Sequence, residues 1–241
     1  MSPDSTFLTA EWRSLVLLNY EVDPVLLRKF VPQGTELDRW NDRVFLSLVG
    51  FRFLKTRVFG LAIPFHSNFD EVNLRFYLRR REGPEIRRGV VFVKEIVPRQ
   101  MIALVARSFY NENYVALPMS HEIQTIAGGA VQAAYRWRSG RQWSEVRLES
   151  QGEPAFPKEG SEEQFIAEHY WGYAAQPDGG CTEYRVAHPP WRVRMSRHAK
   201  FEGDVEDLYG RDFAAVLREK PASAFLAEGS EITVMRGRRL E

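Results

Sequence analysis

Residues 71–79 read Glu-Val-Asn-Leu-Arg-Phe-Tyr-Leu-Arg, and Val72, Leu74, Phe76 and Leu78 alternate there with Glu71, Asn73, Arg75, Tyr77 and Arg79. A period of two is that of a β-strand, whose successive side chains point to opposite faces. One face is apolar; the other carries a carboxylate, an amide and guanidinium groups. On an open sheet the polar face would meet solvent, whereas in a closed barrel it would line a cavity. Glu82-Gly83-Pro84-Glu85 turns the chain and residues 89–97 (GVVFVKEIV) return, which predicts a hairpin.

Upstream, residues 12–21 (WRSLVLLNYE) are apolar nearly throughout and predict a strand buried on both faces. Asp23 is placed to cap a short helix with Pro24 at its first position, running to Phe30 and stopping before Pro32-Gln33-Gly34. Residues 44–54 form a second long strand candidate, with Gly50 as the expected bulge. Downstream, 101–110 reads as helical, 114–125 and 130–138 as strands around Gly128-Gly129, and 142–149 as a strand entered through the Ser139-Gly140-Arg141 turn. Residues 151–160 are the loosest stretch. Ser161-Glu162-Glu163-Gln164 has the spacing of a capping box and predicts a helix over 162–170. Two strands around His188-Pro189-Pro190, a helix over 211–219 and a last strand at 231–235 complete the chain. Strands mostly joined by hairpins, with a few flanking helices, predict one α+β domain over residues 1–241 built on a largely antiparallel, curved or barrel-like sheet.

The 241 residues carry 33 Lys plus Arg against 32 Asp plus Glu, a net charge of +1, and 27 of the basic residues are arginine. With 44% hydrophobic and 27% charged residues, the composition is that of a soluble globular protein and excludes disorder, collagen and coiled coil. The single cysteine, Cys181, excludes an internal disulfide or a multi-cysteine zinc site. A start without a basic and then apolar leader, and the lack of a long uncharged apolar run, lead us to expect a cytoplasmic protein. The near-zero net charge argues against a nucleic-acid partner, so Arg79-Arg80-Arg81 with Arg87-Arg88, and residues 236–239, read as a solvated hairpin tip and a charged tail.

No nucleophile elbow, phosphate loop or dinucleotide fingerprint is present. His121-Glu122 begins like a zinc-protease motif, but residue 125 is Thr, and the five histidines (66, 121, 169, 188, 198) show no ligand spacing, so no metal or other cofactor is expected. Two aromatic, ionisable clusters stand out: Glu168-His169-Tyr170-Trp171-Gly172-Tyr173, and residues 184–191 around His188. Each sets an imidazole among large rings, suited to ligand binding or proton transfer, or to packing at the core edge.

The segment Asp23-Pro24-Val25-Leu26-Leu27-Arg28-Lys29-Phe30-Val31-Pro32, followed by Glu36-Leu37, resembles the N-terminal part of acetoacetate decarboxylases. Residues 10–13 (AEWR), 48–53 (LVGFRF), 71–75 (EVNLR), 113–119 (NYVALPM) and 169–172 (HYWG) resemble the YqjF-like family of uncharacterised bacterial proteins, thought to share the decarboxylase fold. The resemblance implies a cone-like barrel with a small-molecule pocket. It carries the enzyme's arginine onto Arg13 and one glutamate onto Glu71; a second glutamate falls near Ser47 and is not kept. The enzyme's amine-bearing lysines fall on Pro118-Met119-Ser120, where no amine stands. Methionine cannot form an iminium, so the Schiff-base decarboxylation is not available at Met119. Lys94, inside an apolar strand, reads more as an edge ion pair with Glu95 than as a nucleophile.

The reading is therefore a pocket for a small anionic or carbonyl ligand, with or without acid–base turnover. Arg13 is expected to anchor the ligand and pair with Glu71, while Arg52, His169, Tyr170 and His188 are further pocket candidates. Arg52 interrupts an apolar strand and needs a carboxylate partner if buried. The decarboxylases assemble into large oligomers, which leaves a homo-oligomer open here.

Overall fold

The structure, a computed structural model, describes residues 5–100 and 113–240; the expected helix over 101–110 lies outside them. Among the described residues one sheet joins β1 (Thr6–Glu21), β2 (Glu36–Leu37), β3 (Phe45–Val58), β4 (Leu61–Ala62), β5 (Phe69–Glu82), β6 (Glu85–Val97), β7 (Tyr114–Ala116), β8 (Met119–Thr125), β9 (Val131–Ser139), β10 (Gln142–Ala155), β11 (Trp171–Ala175), β12 (Cys181–Ala187), β13 (Val193–Glu202), β14 (Ser223–Met235) and β15 (Arg238–Leu240). The helices are α1 (Pro24–Leu27), α2 (Glu162–Ala167), α3 (Glu206–Tyr209) and α4 (Arg211–Arg218). None is long and apolar enough to cross a membrane. The fold is mostly β with few helices, and all strand pairs are antiparallel except β6 with β7 and with β11.

The strands run in the order β12-β11-β6-β5-β3-β1-β14, and β12 pairs with β14 again through Val186 opposite Val234 and Ala187 opposite Thr233. Strand pairing thus returns on itself. From β14 the sheet continues outward through β13, β10, β9 and β8. Two apolar clusters result, one on each face of the central strands. Leu15, Leu17, Val49, Phe51, Phe53, Tyr77 and Phe225 gather on the inner side with Phe165 and Ile166 of α2. Val16, Leu18, Leu46, Leu48, Leu74 and Phe76 pack on the other side against Tyr135, Trp137, Leu148 and Phe201 of the extension and Phe213 and Leu217 of α4. This is why 15–18 can be an unbroken apolar run: the expected burial on both faces is met by two layers.

Local signals account for several elements. Asp23 caps α1, its Oδ1 accepting from the Val25 N–H at 2.8 Å, with Pro24 at the first position. Ser161 caps α2, and Gln164 accepts from the Gly160 N–H; α2 ends at Ala167, short of the expected 170. The hairpin of β5 and β6 closes at Glu82 opposite Glu85.

Other expectations are corrected. The bulge lies in β1, not at Gly50: Arg13 faces Arg52 and Val16 faces Gly50, so β1 carries the extra residue. Ser14 takes φ 56° there, and the Tyr135 hydroxyl donates to its carbonyl at 2.8 Å. Gly50 is needed because the Tyr135 ring lies over it; a Cβ would meet Tyr135 Cδ2 at 2.7 Å. Of the loose stretch 151–160, residues 151–155 belong to β10, which pairs there with β13. The strand expected over 114–125 divides at Leu117-Pro118, and β11 and the first half of β14 were not expected at all. Nor are the arginine clusters merely solvated: Arg80, Arg87 and Arg238 reach the fully buried Glu183 carboxylate at 3.4, 2.7 and 3.0 Å.

Candidate functional site

Glu71, Asn73 and Arg75 are 2%, 1% and 8% exposed. Of the two readings of the polar face of β5, the inward one holds. With Glu95 of β6 and Tyr114 of β7 they line a cavity of about 100 Å³, whose other walls include Trp12, Leu15, Phe51, Phe53 and Phe92. Asn73 Nδ2 donates to Glu71 Oε1 at 3.0 Å, and the Tyr114 hydroxyl donates to Glu71 Oε2 at 3.2 Å. Burial pushes the Glu71 carboxyl up to about 7, against the pull of those two bonds and of the Arg75 charge. Burial, and next the Glu71 and Glu95 carboxylates, hold the Tyr114 phenol well above its ordinary range, so it stays a donor.

A smaller cavity of about 30 Å³ adjoins the first. It shares Trp12, Arg75, Phe92, Tyr184 and Val186 with it and adds, among others, His169, Trp171, Gly172, His188 and Trp191. Arg75 borders both. Its Nε is buried and unbonded, and no carboxylate comes within ion-pair distance of the guanidinium among the described residues; the Tyr77 ring lies 5.8 Å from it. A buried cation without a counter-ion is costly, so this position stands ready for an anion.

The sequence-chosen residues divide between this interior and the outside. Trp12 faces in, so its neighbour Arg13 faces out; Arg13 bonds Glu11 at 2.9 Å and the Gly229 carbonyl at 3.2 Å. The expected Arg13–Glu71 pair is not formed. Arg52 likewise alternates with the inward Phe51 and Phe53, and it faces Asp70 at 3.7 Å, a structural carboxylate that also bonds His121 Nδ1 at 2.9 Å. His169 and His188 do reach the interior, in the smaller cavity. His169 Nε2 meets Asp38 Oδ2 at 3.1 Å, between the rings of Tyr77 and Phe165. His188 stacks on Trp191 with centroids 4.0 Å apart. Burial lowers both imidazoles to about 4, so both are neutral at pH 7. Tyr170 packs on His188 but lines an outer groove with Arg87, Arg88 and Arg185.

Met119 sits at the start of β8 opposite Trp137 and packs in the outer cluster. In β6 the register shifts beside Leu74, and Phe92 and Glu95 face the cavity while Lys94 does not; burial lowers its amine. No lysine lines either interior cavity, and residues 101–112 contain none. Arg75, Asn73, Glu95, Tyr114 and Asp38 were not chosen as site residues from sequence. For Asn73 and Arg75 the signal was present, since both share a face with Glu71.

Solved structures share the fold. Acetoacetate decarboxylase from Legionella pneumophila aligns with a TM-score of 0.69 at 10% identity, over 98% of this chain and 88% of that one. An acetoacetate decarboxylase-like enzyme from Sphingomonas wittichii RW1 gives 0.66 at 12%, over 100% and 95%. The enduracididine biosynthesis enzyme MppR complexed with pyruvate gives 0.68 at 16%, over 98% and 91%. The sheet that pairs back on itself is thus an acetoacetate-decarboxylase-like fold. Within it the chain belongs to the DUF2071 family, described as "Uncharacterized conserved protein (COG2071)", whose family model matches residues 9–231. It is 23% identical over 211 residues to the uncharacterized protein YqjF of Bacillus subtilis strain 168, covering 86% of this chain and 84% of that protein.

Proposed function

We propose that the protein is a cytoplasmic, single-domain, cone-like barrel whose interior holds a small anionic carbonyl or carboxylate compound. The observation that carries this reading is Arg75, a buried guanidinium with no carboxylate at ion-pair distance among the described residues, bordering both cavities. The ligand's carboxylate takes the guanidinium as its counter-ion, an arrangement worth most where water is excluded. Glu71, held by Asn73 and Tyr114, presents a neutral carboxyl below pH 7 and donates to a second ligand oxygen. Trp12, Leu15, Phe51 and Phe53 take the apolar remainder, and about 100 Å³ sets an upper size of a few carbon atoms. Arg75 takes the anchoring role first expected of Arg13. MppR, whose fold the chain shares, is a pyruvate complex in one of its structures, and a short oxo acid suits the chemistry of this interior.

Schiff-base chemistry does not belong to this reading, because neither cavity has an amine among its walls. A thermal-shift panel tests it. Short monocarboxylates raise the melting temperature, while their uncharged amides of the same shape do not; equal shifts from acids and amides, or none from any acid, refute the anion site. Borohydride treatment in the presence of a short oxo acid leaves the protein mass unchanged, and a reduced adduct on any lysine contradicts the account.

A further inference from the structure

Among the described residues, three that line the smaller cavity carry a buried polar atom without a partner: Trp12 Nε1, Arg75 Nε and His169 Nδ1. Arg75 Nε and His169 Nδ1 are both buried and unbonded, both residues line the same space of about 30 Å³, and the His169 side chain is 1% exposed. The other ring nitrogen is committed: His169 Nε2 lies 3.1 Å from Asp38 Oδ2, which also accepts from Arg88 Nε at 2.6 Å. Burial pushes the Asp38 carboxyl up, but the bonds from His169 and Arg88 outweigh it and hold it below its ordinary range. An ionised Asp38 can only accept, so the imidazole proton sits on Nε2 and Nδ1 presents a lone pair. A water site needs about 10–15 Å³ of this kind of space and two or more polar partners. The smaller cavity has the volume, and its lining residues carry Nδ1 as an acceptor and Arg75 Nε–H as a donor.

We propose that the smaller cavity is a water-activation site in which His169, positioned by Asp38, is the base, and that the protein adds this water to the carbonyl carbon of a short oxo acid in the larger cavity. The inference rests on the reading that Arg75 holds such an acid there. His169 Nδ1 takes one proton from the water, and the oxygen forms a bond to the carbonyl carbon. The carbonyl π pair moves to its oxygen, which takes the proton of the Glu71 carboxyl. The product is the geminal diol, and the proton on His169 returns to Glu71 through solvent. The sum is ketone plus water giving diol, with no oxidant, reductant or cofactor. Reversal expels either oxygen, so the protein exchanges the carbonyl oxygen with solvent.

The probe is 4-oxopentanoate in ¹⁸O-water, with label uptake read by mass spectrometry and binding read separately by calorimetry. The wild type exchanges label at least about tenfold faster than buffer, as general-base assistance of about 10²–10⁴ allows. His169→Gln falls to the buffer rate with Kd changed less than about threefold. Asp38→Asn lowers exchange and, in nitrogen-15 spectra, scrambles the His169 tautomer. If the wild type does not bind the probe, the anion-site reading fails and this inference fails with it. Binding with exchange at the buffer rate overturns the water-activation site alone. Should the variants not fold, nitrogen-15 spectra of the wild type decide: an unprotonated His169 Nδ1 at pH 7 is required, and a protonated one overturns the proposal.

Discussion

Glu71 and Arg75 are one carboxyl and one guanidinium on the same inward row, and the state of Glu71 depends on burial more than on the Arg75 charge. Burial lifts Glu71 to about 7, above the ordinary carboxylate range, so its contribution to stability is complete below that range and is lost as the pH rises to about 7. His169 works in the opposite sense. Lowered to about 4, it contributes stability above the ordinary histidine range that is lost as the pH falls to about 4. A bound carboxylate prefers Glu71 protonated. Affinity for a short acid is therefore nearly constant below pH 6, is about halved at pH 7 and falls further above it, approaching tenfold per pH unit. Glu71→Gln removes that fall, and calorimetry at pH 6, 7 and 8 checks it: a wild-type affinity that does not change between pH 7 and 8 places the Glu71 titration elsewhere. The inward position of Glu71 was implied by family resemblance, and alternation then carries Asn73 and Arg75 inward with it. Alternation also decides against Arg13 and Arg52, once Trp12, Phe51 and Phe53 are known to face in.

Elements whose evidence lies in their own residues were legible. The β5–β6 hairpin shows in its alternation and Gly-Pro turn, α1 in Asp23-Pro24, and α2 in Ser161. The bulge in β1 was not, because Ser14 is set by a hydroxyl from Tyr135, 121 residues away, and nothing near position 14 announces it. Gly50 stands out in the sequence for a reason other than a bulge: its missing side chain makes room for a ring from another strand. The first half of β14 was missed because 223–227 (SAFLA) is short, follows Pro221 and has no alternation. It is a strand because β1 pairs with it from Asn19 opposite Ser223 to Leu15 opposite Ala227. Gly50→Ala forces its methyl against the Tyr135 ring, and overpacking of this kind costs about 1–3 kcal/mol. Urea unfolding reads it as a lower midpoint at unchanged slope, and a midpoint equal to wild type means the ring moves aside freely.

At the scale of the molecule, strand pairing that closes on itself turns one face of the central strands into an interior, and the extension through β13, β10, β9 and β8 covers the other. The same closure makes a polar row on β5 a cavity wall rather than a surface. A ligand bound there stabilises the folded protein by mass action, by about 2.7 kcal/mol at a hundredfold excess over Kd. The limited volume of about 100 Å³ restricts this to short acids: melting shifts fall away as the chain lengthens beyond a few carbons. The arginine-rich composition, at first only a bias, gains a physical meaning at Arg75: a permanent cation that can hold a carboxylate and cannot form an iminium.

Arg75→Met tests the central claim most directly, with melting temperature and calorimetric binding of a short monocarboxylate measured side by side. Replacing a buried charge that makes no ion pair among the described residues by an apolar side chain of similar length is neutral or stabilising. The ligand-free variant therefore melts at or above the wild-type temperature, and it loses binding of the acid. A variant that still binds the acid with wild-type affinity would show that Arg75 is not the anchor.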